Sequence, residues 1–223
     1  MIRIFLPLFY YYEFVENFDS LLLIIENKKV LYNFLKDLLG GCLQEENIQL
    51  FDENNKRIKN SDYIDFVPSI FDIDVNNKKN INALIKFIKK TCYENIKEAT
   101  TSIEEILKKS FDFLKLEIPL DVLDNIDINE DDYFKLLDIK IIDDDINLLE
   151  RITTYIKTSF ELRSIKIFVF YGLFSLLEEE EVRYLLKECQ YLDVKIINIE
   201  HSDISTNCFS NKVILDKDIC LLK

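Results

Sequence analysis

The chain has 223 residues, 48% of them hydrophobic and 31% charged, with a formal net charge of −13. That composition describes a folded protein and excludes a disordered polyelectrolyte. A charge of this sign repels nucleic acid except where basic residues are strongly segregated.

The N-terminal segment lacks the apolar core and small-residue cleavage site of a signal peptide. The longest uncharged apolar run, Ile167 to Leu177, falls short of the roughly 20 residues that span a bilayer, so a cytoplasmic protein without membrane contact is expected. Five cysteines (Cys42, Cys92, Cys189, Cys208, Cys220) are scattered without a CxxC spacing, and the single histidine, His201, has no neighbouring cysteine. Reduced, buried thiols are the simple expectation.

Along the chain, Leu21 to Ile25 is an apolar run, and Lys28 to Leu39 follows with helical spacing up to Gly40-Gly41. Ile48 to Phe51 and Arg57 to Ile58 flank Asp52-Glu53-Asn54-Asn55 as a hairpin, and Tyr63 to Val67 forms a further strand before Pro68. From Lys78 to Lys115 the apolar residues recur at steps of three and four, which predicts helix throughout. Ser102 and Glu105 have capping-box spacing, so two helices that meet near Thr100-Thr101 are expected. Helical spacing returns from Leu148 to Phe160. Ile165 to Phe170 is a buried strand, Leu176 to Cys189 an amphipathic helix and Val194 to Ile199 another buried strand; Val213 to Leu215 and Ile219 to Leu222 suit short strands. The pattern predicts an α/β fold: a head domain from residues 1–75 and 145–223, and an inserted α-helical leg over residues 76–144.

The first strand-turn-helix is where a nucleotide-binding α/β protein places its phosphate loop. Such a loop needs glycines, because backbone N–H groups must approach the phosphates closely, and a Lys-Ser/Thr pair. Here the turn is Glu26-Asn27-Lys28-Lys29, and the strand ending at Tyr171-Gly172 lacks a terminal acid for magnesium. No nucleotide is expected to bind. His201 and Asp203 follow a buried strand, but a short His-Asp spacing is weak beside a full catalytic constellation, and a loop histidine without a special role is favoured.

Two charged features stand out. Lys79, Lys86, Lys90 and Lys97 are spaced by seven, four and seven, within about 40° of one another on a continuous helix, and Lys108 and Lys115 would extend the row. Residues 76–115 hold nine Lys against five acids, a net of +4. This is either a solvated helix face or a surface for a phosphate backbone. Residues 116–150 hold twelve acids against two Lys, a net of −10. Glu117, Asp121, Asp124, Asp127, Glu130, Asp131 and Asp132 are either a solvated loop, with Asp127 or Asn129 capping the next helix, or ligands for a hard cation.

Taken in order, Ile48-Gln49-Leu50-Phe51-Asp52, Lys59 to Ile64, Phe71 to Asn76, the strand Ile165 to Phe170, the helix start Leu176 to Val182 and the strand Val194 to Ile199 resemble the Csn-two family of CRISPR-associated adaptation proteins. The likeness covers residues 48 to 215, carried by order and spacing, since the family has no catalytic signature. It implies an α/β head related to P-loop ATPases without nucleotide-binding motifs, and a helical leg. It also implies a non-catalytic, ring-shaped homotetramer that accepts linear double-stranded DNA and assists spacer acquisition beside the adaptation integrase and effector nuclease. Calcium is the implied metal, and Glu117, Asp121, Asp124 and Asp127 fall where the family has its calcium carboxylates. Lys79, Lys86, Lys90 and Lys97, with Arg151 and Lys157 on the helix after the acidic stretch, are the candidates for DNA contact. The rival reading is a protein–protein adaptor in which the lysine row and the acidic stretch pair with each other between subunits.

Overall fold

The computed structural model describes residues 2–40, 47–120, 123–142 and 147–222 and is a mixed α/β protein. It divides into two compact units, one of Met1–Val75 with Asp143–Lys223 and one of Asn76–Ile142.

The larger unit is built on a six-stranded sheet in the order β10-β9-β3-β8-β7-β6. Its strands are β3 (Ser20–Ile25), β6 (Ile64–Val67), β7 (Ile167–Tyr171), β8 (Lys195–Glu200), β9 (Asn211–Leu215) and β10 (Leu221–Leu222). All pairings are parallel except β9 with β10. The central strands are apolar on both faces because both faces are covered. Along β7, Ile167 and Val169 join one core, and Phe168 and Phe170 join the other. The first core is closed by α1 (Lys28–Leu39) and by an antiparallel sheet in the order β2-β1-β4-β5. That sheet comprises β1 (Arg3–Leu6), β2 (Tyr11–Phe14), β4 (Gln49–Phe51) and β5 (Arg57–Ile58). The second core is closed by α5 (Leu148–Arg163), which presents Ile152 and Ile156, and by α6 (Glu179–Tyr191), which presents Val182, Leu185 and Cys189.

One polar cluster interrupts the second face. Asp65 on β6 accepts hydrogen bonds from Tyr155 Oη and an Arg163 guanidinium nitrogen, each at 2.7 Å, and so ties an edge strand to α5. The side chains of Arg163 and Asp65 are only 12% and 3% exposed. Burial of the phenol, with Asp65 beside it, holds Tyr155 well above the ordinary tyrosine range.

The smaller unit contains α2 (Lys78–Thr91), α3 (Tyr93–Glu117) and α4 (Glu130–Leu137). Asn76 accepts from the Ile141 amide and donates to its carbonyl, so the two ends of this unit meet. No helix among the described residues is long and apolar enough to cross a membrane.

Candidate nucleic-acid interface

The helix break expected near Thr100-Thr101 lies instead at Cys92, whose backbone (φ −122, ψ 28) leaves the helical region. Cys92 N–H closes α2 on the Ile88 carbonyl, and the Cys92 carbonyl accepts from Ile96 N–H to open α3. Thr100 and Thr101 hydroxyls donate to the Lys97 carbonyl, and Ser102 donates to the Glu98 carbonyl. These side chains hydrogen-bond within the helix instead of ending it, which is the alternative use of a mid-helix Ser or Thr.

Asn77 caps α2 by accepting from Lys79 and Asn80 N–H. Lys79, Lys86 and Lys90 follow on this one helix and are exposed, while Lys97 is exposed on α3, beyond the break. The row is therefore three lysines on one axis and a fourth on another. Arg151 is half-buried and Lys157 exposed on α5 of the larger unit.

Of the acidic stretch, residues 124–131 contact α3 and α2. Asp124 accepts from Lys115 Nζ at 3.1 Å, and Glu104 Oε1 accepts from Ile128 N–H at 2.9 Å. Lys89 Nζ then reaches Asp131 Oδ1 at 2.7 Å and Glu130 Oε2 at 3.3 Å. The hydrogen bond from Lys89 holds the Asp131 carboxyl below its usual range and raises the ammonium in return. Asn129 caps α4 by accepting from Asp132 N–H, and buried Phe134 anchors the helix with Lys89 Nζ 5.7 Å from its ring centroid. Lys89, one turn from Lys86, stands outside the lysine row, so sequence spacing gave no sign of its pairing.

Glu117, Asp124 and Asp127 are exposed, and Asp121 lies outside the described residues. Among the described residues, no three His, Cys, Asp or Glu side chains gather closely enough to hold a metal ion. With Asp124 engaged by Lys115, the described donors do not by themselves fit a resident calcium.

At the carboxyl edge of the large sheet, a cavity of about 680 Å³ is lined by Glu26, Asn27, Lys28, Lys29, His201 and Lys217, among others. Asn27 occupies the first amides of α1 by accepting from Lys29 and Val30 N–H, and its amide donates to the Lys217 carbonyl. His201 Nδ1 lies 3.3 Å from the Ile25 carbonyl, whereas Asp203 pairs with Lys212 at 2.5 Å, so the two do not form an acid–base couple. Beside them, Glu200 Oε1 accepts from Phe174 N–H and Asn198 Nδ2, and burial raises its carboxyl.

These turns hold no glycine-rich phosphate loop. Residues 43–219 match the family model of the CRISPR-associated protein Cas_Csn2. The chain belongs to the Csn2 family of CRISPR-associated proteins. No curated protein matches it.

Proposed function

We propose that this chain is a non-catalytic protein of CRISPR adaptation that binds linear double-stranded DNA as a homotetramer and assists acquisition of new spacers. The observation that carries the reading is the exposed lysine set of α2 and α3, Lys79, Lys86, Lys90 and Lys97, in a chain of net charge −13. Lysines on a helix face neutralise phosphates but do not reach base edges in a fixed pattern, so binding is independent of sequence and steeply salt-dependent. Arg151 and Lys157 are secondary candidates. Self-association is supported by the apolar surface of the helical unit, where Phe113, Leu116 and Leu120 are 74%, 81% and 74% exposed. The Csn2 membership supports the CRISPR setting, and the adaptation integrase and effector nuclease are the proposed working partners. A sheet head of the P-loop-ATPase type without nucleotide binding is part of the same reading, supported by the occupied amides of α1.

Calcium enters on the family resemblance alone. At Asp124, Lys115 competes with any cation for the carboxylate.

The test is the salt dependence of duplex binding by the wild type and by Lys79→Glu/Lys86→Glu/Lys90→Glu. With about six phosphates neutralised, log affinity falls with log salt at a slope of roughly −5. The triple variant binds more weakly on every sequence and its slope is flatter. An unchanged slope moves the DNA site off α2.

The rival adaptor reading needs lysines and acids that pair between subunits, whereas Lys89 and Lys115 hold acids of the stretch 124–131 within one subunit. Absence of duplex binding at low salt, with a tetramer intact, would select it.

A further inference from the structure

The acidic segment that follows α3 is tied down at three successive points, Asp124 on Lys115, Ile128 N–H on Glu104, and Glu130 with Asp131 on Lys89. It runs back along the same helices that carry the lysine set. Its last tie falls among those lysines. A cavity of about 580 Å³ is lined by Lys86, Lys89, Asp131 and Lys135 on one side of the tie. One of about 420 Å³ is lined by Lys89, Lys97, Glu130 and Asp131 on the other. Two lysines of the proposed DNA surface therefore share their grooves with carboxylates, Lys86 with Asp131 and Lys97 with Glu130 and Asp131. A screening length of about 8 Å at physiological salt does not separate charges that line one groove. A phosphate that approaches Lys86 meets Asp131, and one that approaches Lys97 meets Glu130 and Asp131, as competitors already in place.

We propose that the first turn of α4 is an internal competitor for DNA: Glu130 and Asp131 occupy Lys89 and the grooves beside Lys86 and Lys97, and lower the affinity of this surface for phosphate. The inference rests on the DNA-binding reading above and names a regulation of that same surface. DNA that displaces α4 gains Lys89 as an additional phosphate contact. Hydrogen bonds to Asp131 and Glu130 that hold Lys89 charged are consistent with this exchange of one anion for another.

The experiment compares duplex binding by the wild type, by Glu130→Gln/Asp131→Asn, and by Glu53→Gln/Glu180→Gln, which changes the net charge equally through two exposed acids of the sheet unit. Affinity in the first variant rises about three- to tenfold at 0.1 M salt. Its log–log salt slope steepens by about 0.9, the signature of one added phosphate contact. The control pair stays within about twofold of the wild type. Asp131→Asn alone, which leaves Glu130, the Asn129 cap and the Phe134 anchor in place, gives part of the same rise and guards against misfolding of the double variant. Wild-type binding with unchanged affinity and slope in both Glu130→Gln/Asp131→Asn and Asp131→Asn overturns this inference and leaves the DNA reading standing. Weaker binding by a folded Glu130→Gln/Asp131→Asn protein overturns it as well. Binding by none of the proteins removes the DNA reading itself.

Discussion

Asp65→Asn removes a charge from a buried pair of the sheet unit without changing the volume. Arg163 donates to Asp65 over 2.7 Å, with the two side chains 12% and 3% exposed. At an effective dielectric constant of 20, opposite charges at that distance attract by about 6 kcal/mol, most of which is offset by the cost of bringing both out of water. The net worth of the pair is therefore small, but the cost of breaking it is not. An asparagine keeps the shape, accepts a hydrogen bond and leaves the guanidinium without the carboxylate charge that it donates to. A loss of about 3–5 kcal/mol follows. For a unit of this size, each kcal/mol lowers the melting temperature by about 2–4 °C, so a drop on the order of 10 °C is expected by calorimetry or circular dichroism. Tyr155→Phe retains the ion pair and costs less, about 1.5–3 kcal/mol for one hydrogen bond to a charged acceptor. The phenol also fixes a sign. Its ionisation range is raised in the fold, so its contribution is complete below the unfolded value of about 10 and is lost as pH rises above it. Between pH 9 and pH 11.5 the wild type should lose stability faster than Tyr155→Phe. An Asp65→Asn protein that melts within about 2 °C of the wild type would refute the buried-pair argument.

The carboxyl of Glu200 is raised by burial, so its favourable state is the neutral one, fully populated only at low pH and lost as pH rises through its folded-state value. Glu200→Gln keeps an acceptor for Phe174 N–H and Asn198 Nδ2; it should melt above the wild type at pH 7.5 and level with it at pH 4, and a lower melting point at both would contradict this. Calcium at a hundredfold excess over its dissociation constant stabilises a protein that binds it only when folded by about 2.7 kcal/mol. Because Lys115 competes for Asp124, Lys115→Gln should enlarge the calcium-induced shift in melting temperature and Asp121→Asn/Asp124→Asn should shrink it. Identical melting curves in chelator and in millimolar calcium would remove the metal from the proposal.

The parallel core was legible because its strands are continuous apolar runs: Leu21 to Ile25, Ile165 to Phe170 and Val194 to Ile199 coincide closely with β3, β7 and β8. The β4–β5 hairpin was marked by its turn residues. The small sheet was not, since β1 is four residues long and its pairing of Arg3 with Phe51 depends on chain far away in sequence. The junction of α2 and α3 was misplaced because Ser102 and Glu105 have the spacing of a cap while the local backbone remains helical, with the Ser102 hydroxyl on the Glu98 carbonyl. Both charged features were visible as composition. What composition does not carry is their meeting: Lys89 and Asp131 are 42 residues apart, and only the fold brings them to 2.7 Å.

The central claim is that a basic surface on a closed assembly takes DNA by its ends. It is tested most directly by binding one duplex of fixed sequence and length in two forms, linear and covalently closed circular, at equal salt. An assembly that threads over a free end binds the linear form and leaves the circle largely unbound. Equal affinity for both forms would contradict threading, while leaving the lysines of α2 and α3 as phosphate contacts to be judged by the salt slope.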